Sequence, residues 1–189
     1  GANITLSANT TLFANVTNNV PGQPAVAALG ALDVAEVAVD GSSNIMATGF
    51  FTATAVSSLT ATVTANAVIG VNGEVALATP LINNTARSHL SGSSTVNAVG
   101  AVSFLATTNT TVTTIAQDGM GVGVTGTTTA TPIVTTITDA FIDGSASVTN
   151  SASINLNAAA NSTLTTTALS TPAGAALNPD TLADLGIVT

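Results

Sequence analysis

The chain has 189 residues, 46% of them hydrophobic and only 5% charged, with Arg87 as its single basic residue and a formal net charge of −8. So little positive charge leaves nothing to neutralise a phosphate backbone, which excludes nucleic-acid binding, and high hydrophobicity at low charge is the reverse of a disordered tail. The absence of cysteine removes disulfides and sulfur metal sites, no long uncharged apolar run offers a transmembrane segment, and without Trp or Tyr a membrane barrel has no aromatic girdles.

In chain order, residues 1–24 read as a partial N-terminal unit. Ile4-Thr5-Leu6 and Asn9-Thr10-Thr11-Leu12 resemble Ile154-Asn155-Leu156 and Asn161-Ser162-Thr163-Leu164, with the spacing shortened by two residues. This segment carries no charged side chain, begins with Gly as a processed or excised chain would, and ends in the turn Pro21-Gly22-Gln23-Pro24. Ala and Leu dominate Ala25 to Ala35, the one stretch with a helical composition. From Val37 onward β signals prevail, with abundant Thr and Val alternating with small or polar residues.

The rest of the chain is an array. Ala130 to Ala168 lies over Ala78 to Ala116, 52 residues upstream, without a gap: Pro132 falls on Pro80, Gly144 on Gly92, Val148 on Val96 and Ile154 on Val102. A weaker copy precedes these, with Val39-Asp40-Gly41-Ser42 matching Ile142-Asp143-Gly144-Ser145 and Phe51 matching Ile154. The repeats therefore span 25–75, 76–127 and 128–170, each with a strand entering a Gly corner, a short strand and a long one. Residues 171–189 form a C-terminal cap or tail, in which Asn178 to Gly186 reads as a capped short helix.

Units of two or three strands cannot bury an apolar face alone, so they must stack. The expected fold is all-β, a parallel β-solenoid of about three 52-residue units, with a β-sandwich subunit using donor-strand exchange as the rival. Stacking in repeat register places Glu36, Arg87 and Asp139 in one column, the only basic side chain between two carboxylates. An Arg solvated on a polar face is the competing reading.

Ala140-Phe141-Ile142-Asp143-Gly144-Ser145, followed by Ser153-Ile154-Asn155-Leu156 and a Thr/Asn tract, resembles the repeats of giant secreted β-helix adhesins, the filamentous-haemagglutinin-like and leukotoxin-type group. The resemblance covers roughly residues 30–170, with Asn150-Ser151-Ala152 where a Gly-rich turn is usual. It implies a surface-exposed, fibrous, non-enzymatic role and supplies no ligand.

Chemistry is sparse. His89 is the only histidine, but its neighbour Ser88 invites a nucleophile reading that lacks an orienting acid and an oxyanion motif; sister positions Ala38 and Phe141 make His89 an ordinary strand residue. Nine acidic residues satisfy the count for glycoside hydrolysis, yet none has a distinctive context. Asp40 and Asp143 at equivalent corners raise calcium, but each brings one carboxylate where several should converge, and Ser91 replaces it in the middle copy. Gly119 to Gly123 lacks the Lys and helix of a phosphate loop. No cofactor or metal is expected, and no enzymatic activity. Asn3, Asn9, Asn15, Asn83, Asn109 and Asn161 head six Asn-X-Ser/Thr sequons, about the number that this Ser/Thr-rich composition gives by chance; they matter only if the chain passes a glycosylating pathway.

The expected function is a structural subunit or fragment of an extracellular filament, sheath or fibrous adhesin. It would assemble as a homopolymer by β-edge pairing through Ile4, Leu6, Leu12, Phe13 and Val16, with surface glycans or neighbouring envelope proteins as further partners. A carbohydrate- or ligand-binding monomeric β-domain of a cell-surface protein is the alternative.

Overall fold

A computed structural model describes residues 1–21, 23–70, 75–120, 127–172, 181–184 and 187–188. Every regular element among them is a strand. Strand β1 (Ile4–Pro21) leads into a first coil of β2 (Ala25–Val39), β3 (Asn44–Ala47) and β4 (Phe51–Gly70). A second coil follows: β5 (Val75–Leu90), β6 (Thr95–Ala98) and β7 (Ala101–Met120). The third comprises β8 (Thr127–Ala130), β9 (Ile133–Ile142), β10 (Ser147–Thr149) and β11 (Ser153–Pro172), and β12 (Thr181–Asp184) and β13 (Ile187–Val188) end the chain.

All pairings are parallel and join each strand to its equivalent one coil away. A long sheet has the order β1-β4-β7-β11, and a short one β10-β6-β3. The third sheet contains β2, β5, β8, β9, β12 and β13. This is a parallel β-solenoid. The donor-strand sandwich is not formed: all of β1, Ile4 to Pro21, pairs with Phe51 to Val68 of its own chain.

The register follows the repeat. Val96 pairs with Val148 and Ile45, and Val102 with Ile154 and Phe51. At the corner, Gly41, Gly92 and Gly144 have φ of 72°, 69° and 70°, a left-handed backbone that a Cβ resists. They lie one above another, with Ser93 N donating to Gly41 O at 2.7 Å and Ser145 N to Gly92 O at 2.8 Å. A Cβ on Gly92 would lie 2.7 Å from the Gly41 carbonyl oxygen, so stacking as well as curvature demands glycine. At the next corner of the third coil, Asn150 takes φ 59°, one of the few side chains that tolerates that region.

Three sequence expectations are corrected. The Ala-rich stretch from Ala25 to Ala35 is strand, paired residue for residue with Ala76 to Ala86; its alternate alanines Ala25, Ala27 and Ala35 are buried, and the ladder outweighs the weak helical preference of alanine. Within the expected C-terminal helix, Thr181 to Asp184 is also strand, added in register to Thr127 to Ala130, because the third coil leaves backbone groups that a following segment can satisfy; residues 178–180 and 185–186 lie outside the described residues. Finally, β1 runs beside β4 without the inferred two-residue shortening. Ile4 shares a column with Phe51, Val102 and Ile154, but Asn9 meets Val56 while Asn161 belongs with Asn109, Ser58 and Thr11.

The interior lies between the long sheet and the β2-β5-β9 sheet, with the short sheet closing one end. Phe51 and Phe104, ring centroids 5.5 Å apart, anchor the end near the short sheet. Alanines and Val63 fill the far end, and Leu59, Ile82, Val112 and Val134 form a third cluster. Buried Asp33, Ser57, Asn84, Thr108 and Thr110 add polar groups to this interior. Ser57 Oγ donates to Asp33 Oδ2 at 2.8 Å and also touches Asn84 Oδ1, while Asn84 Nδ2 donates to Thr110 Oγ1 at 2.8 Å and to the Asn109 carbonyl at 3.1 Å. These bonds tie the two sheets across the interior, and burying such groups without partners would cost far more than the bonds themselves gain.

Candidate functional site

The sites worth weighing are the two ends of the stack. At the N-terminal end one edge of β1 is bonded to β4, and no described strand lies on the other. Strict alternation along β1 turns Ile4, Leu6, Leu12 and Val16 inward, where they are half-buried against the core. Phe13 points the opposite way and is 76% exposed. The structure thus groups four of the five residues expected to mediate assembly and separates Phe13 from them.

The opposite end is one that sequence reasoning missed. Val102 and Phe104 are fully buried, yet their column mates Ile154 and Leu156 are 51% and 45% exposed. They occupy core positions with no described strand above them. The repeat alignment does hold a signal for them: a residue that continues an apolar column and is the last in it has an uncovered face.

Glu36, Arg87 and Asp139 are register partners, but the basic group is not shared. Arg87 Nε bonds Asp139 Oδ2 at 3.1 Å, both side chains about two-fifths exposed, whereas Glu36 Oε1 approaches His89 Nδ1 at 3.7 Å. The His89 ring stacks parallel on Phe141 with centroids 4.7 Å apart, so the repeat column Ala38-His89-Phe141 is a packing column. Ser88 points to the other face and donates from Oγ to the Ala53 carbonyl at 2.8 Å. Neighbours in a strand face opposite sides, so Ser88 and His89 do not form a nucleophile–base pair.

At the corners the Asp143 carboxylate has a local hydrogen bond, whereas at Asp40 the bond is to the main chain. Asp143 Oδ1 accepts the Gly144 amide at 2.6 Å, and the Asp40 carbonyl accepts from Ser43 Oγ at 2.7 Å. Among the described residues no group of three or more His, Cys, Asp or Glu is placed to hold a metal ion. Of the segment weighed as a phosphate loop, residues 121–123 lie outside the described residues.

The sequon asparagines divide. Asn9 and Asn15 are exposed on β1 and Asn83 is half-buried on β5. Asn109 and Asn161 are exposed but belong to a ladder on the long sheet, Asn161 Nδ2 donating to Asn109 Oδ1 at 3.0 Å and Asn109 Nδ2 to Ser58 Oγ at 3.3 Å. Asn3 Oδ1 accepts the Phe50 amide at 3.1 Å and, with Ala2, clasps the start of β1 to the first coil.

No family model, curated protein or solved structure matches the chain. Geometry therefore defines the class, a parallel β-solenoid repeat protein, and no particular adhesin family. Among the described residues no helix is long and apolar enough to cross a membrane.

Proposed function

We propose that this protein is a structural subunit or segment of an extracellular filament, sheath or fibrous adhesin, and that its copies stack head to tail through the open ends of the solenoid. The observation that carries this reading is the pair of unfinished edges. The last strand of the long sheet begins with half-exposed Ile154 and Leu156, and the first begins with half-buried Ile4 and Leu6. These residues already share columns within the chain. Setting β1 of one copy beyond β11 of another in the existing register would place Ile4 on Ile154, Leu6 on Leu156 and Ala8 on Ala158.

Edges of this kind are normally blunted by lysine, inward charges or covering segments. The chain has no lysine, and neither β1 nor β11 contains a charged residue. Such a contact is heterologous, so repetition gives an open fibre rather than a closed dimer. Main-chain hydrogen bonds and stacked small side chains need no catalytic group, and we assign the protein no enzymatic activity. Its secreted location is inferred from the resemblance of its repeats to those of secreted adhesins.

The test is a pair of blocked variants. Leu6→Lys with Leu12→Lys blocks the N-terminal end, and Ile154→Lys with Leu156→Lys the other, because a charge tolerated at an open edge would be buried and unpaired in a junction. Neither variant should polymerise alone, while a mixture should give one-to-one dimers and nothing longer by analytical ultracentrifugation. Fibres from either variant alone would refute head-to-tail stacking.

A further inference from the structure

The outer face of the long sheet carries an ordered array that end-to-end stacking does not use. Thr60, Thr111 and Thr163 form one column across β4, β7 and β11, and Thr62, Thr113 and Thr165 form the next. The column after that is Thr64, Ile115 and Thr167. In a parallel sheet neighbouring columns on one face are about 6.6 Å apart along the strand and successive strands about 4.8 Å apart. Threonine methyls and hydroxyls thus repeat on a two-dimensional net.

The net has a firm backing. Beneath it Ala61, Val63, Ala65, Val112 and Ala116 are buried, and the β4–β7 register is unbroken from Phe51 to Ala67. Threonine is stiff at χ1, and its hydroxyl both donates and accepts. Strand preference alone would favour threonine at exposed positions, but it would not exclude charge, and here charge is excluded. β1, β4 and β11 contain none, and Asp118, the one acid in β7, is fully buried.

Charge complementarity therefore calls for a partner without formal charge, and the regular net calls for a periodic one. Crystalline polysaccharide is disfavoured because the chain has no Trp or Tyr with which to make an aromatic platform, and a protein partner because the Trp, Tyr and Arg that dominate binding hot spots are absent from this face. A partner that is both uncharged and periodic is water in its crystalline form, which presents hydrogen-bond donors and acceptors on a regular lattice to hydroxyls that can both donate and accept. We propose that the outer face of the long sheet, centred on Thr113, binds ice.

The experiment measures thermal hysteresis and inhibition of ice recrystallisation on the full chain. The wild-type protein should show both. Thr113→Lys, in the middle of the array, should lose them while keeping its circular-dichroism spectrum and melting temperature. Leu81→Lys, at a half-exposed position on a different sheet, should keep them. A wild-type protein without either activity overturns the proposal, as does Thr113→Lys with undiminished activity. Adsorption to crystalline cellulose or chitin with no effect on ice also overturns it. Because the end-blocked variants leave this face intact, their loss of polymerisation with retained ice activity would separate the two roles.

Discussion

Substituting alanine at each stacked corner glycine separates the two demands made on that position. Gly41, Gly92 and Gly144 share nearly the same positive φ, so each should lose about 1–2 kcal/mol for forcing an L-residue into the left-handed region. For Gly41→Ala this is all, because an added Cβ meets nothing within 4 Å. At about 2–4 °C per kcal/mol for a domain of this size, its melting temperature should fall by about 2–8 °C. Gly92→Ala adds a collision, its Cβ reaching 2.7 Å from Gly41 O and 3.0 Å from Gly41 N. These are backbone atoms, so relief requires the coils to separate, and overpacking of that kind costs a further ~1–3 kcal/mol. Gly144→Ala should fall between the two, since its Cβ would lie 3.1 Å from Gly92 O on the outermost coil. Differential scanning calorimetry on the three variants gives the order Gly41, Gly144, Gly92 from least to most damaging. Equal losses at Gly41 and Gly92 would refute the stacking of the corners, and with it the repeat register.

Other perturbations have different signatures. Asn84→Ala leaves Thr110 Oγ1 and the Asn109 carbonyl without the amide that bridges them, so urea denaturation should show a loss of about 1–3 kcal/mol; no loss would mean that the interior polar bonds hold nothing together. Arg87→Met breaks an ion pair with both partners about two-fifths exposed, and should cost under about 1 kcal/mol; a larger loss would give the charge column a structural weight that its exposure does not support. Fibre formation should not weaken between about 0.01 M and 1 M salt, a range over which the screening length falls from ~30 Å to ~3 Å, because no charged side chain lies on β1 or β11. Light scattering during a salt titration checks this.

Much of the fold is legible in the sequence because a stacked repeat makes its own alignment a contact map. The ungapped match of Val96 with Val148 and of Gly92 with Gly144 identifies residues that are neighbours on adjacent strands. What misleads is local preference read without its ladder. Alanines in β2 resemble a helix only until each is placed opposite its partner in β5, where small side chains let two sheets approach. The match of Leu12 to Leu164 likewise gives way to main-chain pairing, which admits no two-residue shift within Ile4–Pro21.

The candidate site is less legible. One edge is visible as a half-unit, but the edge at Ile154 and Leu156 is not, because each looks like ordinary core until its column is seen to end. The interior polar groups escape notice for a related reason. Asp33 has the inward parity of Ala31 and Ala35, and Asn84 that of Ile82 and Ala86, but a polar residue in a strand ordinarily marks the solvent face.

Fibre diffraction from the assembled protein tests head-to-tail stacking most directly. The long sheet has four strands per chain, so at ~4.8 Å per strand head-to-tail stacking gives a strong meridional reflection at ~4.8 Å together with an axial subunit repeat of about 19 Å. A repeat of twice that length would show that copies meet through like ends, and the absence of any ordered fibre at high concentration would show that the open edges do not join.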